Sequence, residues 1–490
     1  MSRLYRPLVA LTALAVAIRV VVMVTYSSAV FVYYNGDALR YARISTGGGH
    51  LDLFSDHWVP AGYAIFLAAM REIWSALPFT IGLQHCLGVA TGLLFYAALR
   101  RTGAPRGFAL VPAALVFFSG DQIFLEHALL TESLWAVLIA GGLYALLRGV
   151  GDDSADWRWL GVAGVALGYA GLVRPVGMLL LVVAAVWVAL ALRVELARCA
   201  RAVAAVALPA AILIGVYAGV AALDQGTSGL GELGGVQLYG RVAQFADCTK
   251  FKPPGRTRLL CQTTPSARRP GPNGQLFASD AALLQQPFHV DLRRDSALLG
   301  RFAQQAILHQ TGAYASAVLE DYKRIVGLGH GRLGDGANPW EMRFDLRYAY
   351  GNPAGSDTPE QIARLYRVEY TSVRAHPLSG WGHALGTYQG VVRLHEGLVI
   401  VLLVLGFVGV SLGTARARAG AGLFLGAALC LYLVPALIAQ WDVRYGVLPG
   451  ELLAVAATVG AWAVWERRQT ISATWRSTAP HGSARAGSRQ

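Results

Sequence analysis

The chain is short of charge: 14% of its 490 residues are Asp, Glu, Lys or Arg, against 55% hydrophobic. An ordinary soluble domain is about a quarter charged, so this composition excludes a soluble enzyme, a disordered protein and a fibrous repeat. Lysine is nearly missing. Lys250, Lys252 and Lys323 are the whole complement, and arginine supplies the remaining positive charge, an imbalance read as codon bias accompanying the Ala, Gly and Val richness. Cysteine is sparse, and none of the five stands in a CxxC or Cys/His ligand spacing, so zinc has no support. Cys86, Cys199 and Cys430 lie in or beside apolar runs and read as small buried hydrophobes. Cys248 and Cys261 share a polar segment and are expected to pair as a disulfide in an oxidising compartment. The first apolar run lacks a small-residue cleavage site and reads as a retained helix. No internal repeat of the paired broken-helix kind found in transporters is visible.

What the chain has instead is apolar runs. Mean hydropathy is +0.45, and the runs approach the roughly 20 residues that cross a bilayer as a helix. Spans are predicted at 8–26, 79–99, 108–124, 131–147, 159–172, 176–192, 203–222, 397–413, 421–438 and 447–465. Segment 61–74, interrupted by Arg71 and Glu72, is too short to span and suits an amphipathic helix in the outer interface. Between 224 and 393 the hydropathy collapses. The expectation is an α-helical polytopic membrane protein of about ten transmembrane helices. It divides into an N-terminal transmembrane module (1–223), a mixed extracytoplasmic domain (224–393), C-terminal transmembrane helices (394–466) and a Ser-, Arg- and Gly-rich disordered cytoplasmic tail (467–490).

The net charge of +13, from 42 basic against 29 acidic residues, can signal nucleic-acid binding. Here much of it lies in short loops: Arg3 and Arg6, then Arg100, Arg101 and Arg106, then Arg193, Arg198 and Arg201, then Arg416 and Arg418, then Arg467 and Arg468. Cationic short loops mark the cytoplasmic side, so the charge is read as topology and no nucleic-acid partner is expected. Both termini are then cytoplasmic. The Asp37 loop, the 121–131 loop and the 224–393 domain fall outside. Counting 61–74 as a span would turn the Arg100–Arg106 loop outward, against that rule.

Ionisable groups at membrane depth are costly, and are functional or paired by default. Asn35-Gly36-Asp37-Ala38-Leu39-Arg40-Tyr41-Ala42 is the richest segment: Asp37 and Arg40, at i and i+3, share a helix face. Spacing alone favours a plain ion pair over a general base beside an anion clamp. Asp56-His57-Trp58-Val59-Pro60-Ala61-Gly62-Tyr63 opens the interfacial segment. A second outward loop carries Asp121, Glu126 and His127, and Glu132 stands in a helix first turn that Thr131 could cap.

Asp-x-x-Arg-Tyr-Ala after the first span, followed by Pro-x-Gly-Tyr at Pro60–Tyr63, resembles the GT-C superfamily of membrane glycosyltransferases. It is most similar to the branch holding protein O-mannosyltransferases and lipid A aminoarabinose transferases. Thr131-Glu132-Ser133 falls where that family has its second acid. Leu172-Val173-Arg174-Pro175 resembles its Arg-Pro hairpin, and Arg444-Tyr445-x-x-x-Pro449 its element before the last span. The ordered set covers most of 1–200 and 370–465, while the middle domain matches no family pattern.

The resemblance implies a hexosyl- or pentosyltransferase acting outside the cytoplasm. Its donor would be a polyprenyl-phosphate-linked sugar, and its acceptor an extracytoplasmic glycan, lipid or protein, with the bilayer as a further partner. Carried over residue by residue, Asp37 becomes the general base and Glu132 the second catalytic acid. Arg40, Arg174, Arg444 and His57 are then candidates for the donor phosphate, and Tyr41, Tyr63 and Asp121 for substrate contacts. Displacement in one step would invert the anomeric centre.

Two departures bear on this. Ala38 stands where several members carry a further acid, and Val59 precedes Pro60 where some have lysine, leaving His57 the nearest cationic candidate. No cofactor is firmly implied. Asp121, Glu126, His127 and Glu132 could approximate an oxygen-rich divalent-metal site, but ordinary interface polarity carries more weight. Arg19, amid the first span, reads as a packing or snorkelling charge. Trp340, Tyr348, Tyr350, Trp381 and Tyr388 could stack on sugars but equally anchor a domain at headgroups, and stay outside the site. The competing function is a transporter or flippase for a lipid-linked precursor; a third is an assembly scaffold.

Overall fold

The computed structural model describes residues 6–26, 37–45, 53–54, 59–151, 155–192, 196–226, 228–231, 233–278, 280–328, 344, 359–373, 381–440 and 442–478. Within them the backbone is helical, and pairing between extended segments is confined to two isolated bridges, Ala76 with Thr371 and Val150 with Ala155. Helix is what an apolar chain in lipid must adopt, because every N–H and C=O has to be satisfied within the segment.

The helices in chain order are α1 (Arg6–Thr25), α2 (Asp37–Ile44), α3 (Gly62–Ile73), α4 (Leu77–Arg101), α5 (Arg106–Phe118), α6 (Gly120–His127), α7 (Glu132–Gly149), α8 (Trp157–Val173), α9 (Leu179–Leu192) and α10 (Leu196–Gln225). They continue with α11 (Leu233–Ala243), α12 (Pro272–Phe277), α13 (Leu292–His309), α14 (Thr311–Ile325), α15 (Pro359–Arg367), α16 (Trp381–Val391), α17 (Glu396–Leu412), α18 (Ala415–Ile438) and α19 (Val443–Thr478).

Among the described residues, seven helices are long and apolar enough to cross a membrane, eight if α5 and α6 form one broken span, so the expected count of about ten is not reached by this measure. Helices stand at the other expected positions, but α7 and α8 have 18 and 17 residues, at the short end for a crossing. α1 and α10 expose Val16, Val20, Val24, Leu208, Val216 and Leu223. Apolar side chains left outward along a whole helix face have lipid as their natural surroundings. The protein is a multi-pass membrane protein. α3, 12 residues long, fits the interfacial helix read from the sequence.

The segment expected as a straight span at 108–124 breaks instead. α5 and α6 meet at 49°. Ser119 leaves helical geometry and its hydroxyl accepts from the Gln122 amide, starting a new helix. Gly120 lies so close to α16 that a Cβ there would stand 2.4 Å from the Gln389 Cα. Every residue of α6 is buried, so Asp121, Glu126 and His127 stand in a helix packed inside the bundle and not in a loop. There Glu126 takes Arg19 in a bidentate pair, at 2.7 and 2.8 Å. His85 Nδ1 reaches the same carboxylate at 2.8 Å, and His85 Nε2 lies 3.1 Å from His127 Nδ1. His127 Nε2 donates to the Tyr26 carbonyl at 2.7 Å. Arg19 therefore does not snorkel: it is a buried strut joining α1 to α6.

The described part of 224–393 is helical rather than mixed. It holds a small core of its own, including Val236, Tyr239, Phe251, Phe288, Leu299 and Phe302, and the expected Cys248–Cys261 disulfide is formed. This unit is tied to the end of α18: Arg241 bridges Asp321 and the Ala436 carbonyl, and the Tyr314 hydroxyl donates to Leu437 O at 3.0 Å.

Candidate active site

Asp37 opens α2, where an acid suits the positive end of the helix dipole. Ala38, Leu39, Tyr41 and Ala42 bury the rest of that short helix, so its first turn is held rather than frayed. Tyr41 meets Tyr63 of α3 edge to face, ring centres 5.0 Å apart. The Tyr63 hydroxyl donates to Gln84 Oε1, whose amide donates in turn to the Glu126 and Ala128 carbonyls, at 2.9 and 2.6 Å. The aromatic wall beside Asp37 is thereby fixed to the link between α6 and α7.

Three other helix ends converge on the same place. Glu132 opens α7, Arg174 closes α8 immediately before a proline that cannot continue it, and Arg444 is the second residue of α19. Arg444 contacts Asp37 Oδ2 at 2.9 Å across 407 positions of sequence. Arg40 reaches the other carboxylate oxygen at 3.4 Å. Arg174 holds Glu132 Oε1 at 2.7 Å, and Arg444 approaches that same oxygen at 4.0 Å. Arg174 also lies over the rings of Trp135 and Tyr445, 5.1 and 4.9 Å from their centres, an apolar backing that planar guanidinium tolerates well.

Five residues read from the sequence are thus one cluster: Asp37, Arg40, Glu132, Arg174 and Arg444. Tyr41 and Tyr63 form its wall. Asp121 is elsewhere, taking Gln389 at 2.8 Å and Arg393 at 3.5 Å. His57 lies outside the described residues, as do Trp340, Tyr348 and Tyr350.

Asp442 was missed. Its carboxylate accepts from the Arg444 amide at 3.1 Å and lies 4.0 Å from Arg444 Nε, so it both starts α19 and adds a third acid. The signal was present as an acid just ahead of an apolar run, the usual mark of a helix start. Thr131, expected to cap α7, turns its hydroxyl to Glu132 Oε2 instead, at 3.2 Å.

Three arginines and three carboxylates balance in this cluster. Burial pushes the Asp37 carboxyl up, but Arg444, Arg40 and Arg174 outweigh it and hold the group below its ordinary value. Asp442 goes the other way: burial raises it, and Arg444 only partly compensates. Burial and the Asp37 charge push the Tyr41 phenol up, so it stays a neutral donor.

Among the described residues no three His, Cys, Asp or Glu side chains converge as a metal would need. The four considered from sequence are divided among arginine, imidazole and amide partners, so those four do not form a divalent-metal site.

Residues 81–221 match the family model described as dolichyl-phosphate-mannose-protein mannosyltransferase. This agrees with the resemblance carried by the sequence motifs. No curated protein matches. Among solved structures, the chain is similar to the oligosaccharyltransferase AglB of Archaeoglobus fulgidus in complex with an inhibitory peptide and a dolichol-phosphate. Identity there is 12%, covering 96% of this chain and 52% of that one, with a TM-score of 0.46. The same enzyme tethered to an acceptor peptide gives 15%, 96%, 51% and 0.45. ArnT of Cupriavidus metallidurans gives 15% identity over 91% of this chain and 76% of that one, TM-score 0.25. The chain spans about half the length of the oligosaccharyltransferase it matches. At these identities the likenesses assign no role to any residue.

Proposed function

We propose that the protein is a membrane glycosyltransferase that moves a sugar from a polyprenyl-phosphate carrier to an extracytoplasmic acceptor. The observation that carries this reading is the convergence of Asp37, Glu132, Arg40, Arg174 and Arg444 from four separate helix ends. The cluster lies at the opposite ends of α4, α7 and α18 from Arg100, Arg101, Arg148, Arg416 and Arg418, which suits an outward site if the cationic loops are cytoplasmic. The family matched by residues 81–221 is named for a dolichyl-phosphate sugar donor, which accords with that chemistry.

In the reaction, the acceptor oxygen forms a bond to the anomeric carbon as the bond to the carrier phosphate breaks. The acceptor proton passes to Asp37, and the electron pair of the broken bond leaves with the polyprenyl phosphate. A single displacement inverts the anomeric configuration. Asp37 paired to two arginines is a weak base. An incoming phosphate competes for the same guanidiniums, and arginine is suited to hold it bidentately. As Arg444 and Arg174 turn toward phosphate, Asp37 loses counter-charge and becomes more basic at the moment a base is needed. The arginines then face the oxygen on which charge develops.

The test is Asp37→Asn in the full chain in lipid nanodiscs. Donor capture, read by mass spectrometry of the copurifying lipid, should persist while transfer is lost. Undiminished transfer, or lipid flux with no glycosidic product, would overturn the reading, the latter in favour of a flippase.

A further inference from the structure

A second polar place lies beside the cluster. A cleft opens between the α5–α6 break, the start of α17, α18 and α19, lined by Ser119, Asp121, Arg393, Glu396, Tyr432 and Glu451, with apolar side chains filling the remaining wall. Glu451 is 2% exposed, and neither of its carboxyl oxygens has a hydrogen-bond partner among the described residues. A buried carboxyl without a partner is costly and calls for one from outside the protein. Arg393 is already shared between Asp121, at 3.5 Å, and Glu396, at 2.9 Å. The lining therefore repels anions, and its two paired acids leave Glu451 as the group seeking a donor.

A neutral sugar ring meets these demands. Its C–H face suits the apolar wall, one hydroxyl donates to Glu451, and another accepts from Arg393. The cleft is also connected to the reaction centre by α19. Val443, Gly446, Val447 and Glu451 line it, Arg444 lies between the first two, and Glu451 is about 10 Å further along the helix axis. We infer that this cleft is an acceptor subsite for a neutral, hydroxyl-bearing sugar ring, with Glu451 its hydrogen-bond acceptor. The acceptor is then a glycan or glycolipid and not a bare peptide. The inference rests on the glycosyltransferase reading for the word acceptor; the sugar site itself does not.

The experiment is saturation-transfer NMR on the full chain in nanodiscs, with methyl β-D-glucopyranoside as probe and methylammonium as competitor. Glu451→Leu should weaken glucoside binding at least tenfold. Glu451→Gln, which keeps a carbonyl acceptor, should stay within threefold. Val447→Phe narrows the cleft while leaving the carboxyl in place and should match the loss in Glu451→Leu, which keeps the test open if that variant folds poorly. Asp37→Asn should bind as the wild type does. Wild-type glucoside affinity in both Glu451→Leu and Val447→Phe, or preferential binding of methylammonium, would overturn the subsite whatever Asp37→Asn does to transfer. Transfer surviving in Asp37→Asn counts against the enzymatic reading and leaves the glucoside result standing.

Discussion

The Arg19–Glu126 pair and the Arg444–Asp37 pair join the same two chemical groups at similar distances, 2.7 and 2.9 Å, in different surroundings. The first is sealed, its side chains 4% and 0% exposed; the second is open, at 12% and 27%. Around Glu126 the partners close on every side: Arg19 twice, His85, and Gln122 at 3.0 Å. Even the facing helix makes room, since a Cβ at Gly88 would stand 1.7 Å from Glu126 Oε1. Around Asp37 and Glu132 the further contacts lengthen to 3.4 and 4.0 Å. A saturated buried pair can only hold helices together, and losing one partner leaves an uncompensated charge. A looser, accessible set of arginines can exchange its carboxylates for a phosphate. Two ion pairs of the same chemistry thus separate into a sealed strut and an accessible candidate site.

The sharpest way to break this comparison is to remove the two carboxylate functions in turn. Asp37→Asn should lower transfer by about 10²–10⁴-fold, the usual contribution of a positioned base, while the apparent melting temperature stays within a few degrees. A parallel loss of folded protein would make Asp37 another strut. Arg19→Ala should do the reverse, costing about 3–5 kcal/mol of stability, read as a fall in monodisperse protein and in thermal midpoint. Wild-type stability in that variant would mean that the buried pair contributes little.

Gly88→Ala should disturb the strut more gently, by roughly 1–3 kcal/mol, because the added methyl must displace a locked carboxylate. The smallest effect sharpens the electrostatics of the open cluster. Asp37 is held below its ordinary value and so remains ionised down to more acidic pH. Its acid limb in a kcat/KM profile should lie below the reference of about 3.9. Arg444→Lys keeps the charge but loses the planar fork, and the limb should move to higher pH with a modest fall in rate. A limb that stays put would show that Arg444 does not tune this carboxylate.

Much of the candidate cluster could be read from sequence because its residues carry the family resemblance and sit at helix ends, where proline, acids and arginine leave local marks. Asp37 and Arg40 at i and i+3, Glu132 in a first turn, and Arg174 before Pro175 are such marks. Asp442 carries one as well, as an acid ahead of a helix, and was passed over in favour of the Arg-Tyr pair that follows. Arg19 was read as a packing or snorkelling charge, and the structure makes it the former; its partner was not legible, because an acid 107 residues away leaves no local mark. The break at Ser119 was also missed, although Ser119-Gly120-Asp121-Gln122 interrupts the apolar run there.

Composition and hydropathy alone determined that this chain is a helical membrane protein with a polar insert, because transfer of apolar and charged groups between water and lipid is additive along the sequence. The resemblance of its motifs to a known family then singled out which ionisable residues could do chemistry. Only the tertiary structure decided which of them meet. It joined Asp37 to Arg444, set Asp121 apart with Arg393, enclosed Glu126 with Arg19, and left Glu451 facing a cleft. The physical reason is that pairing a charge in low dielectric depends on ångström distances between distant segments, and no local pattern records those distances.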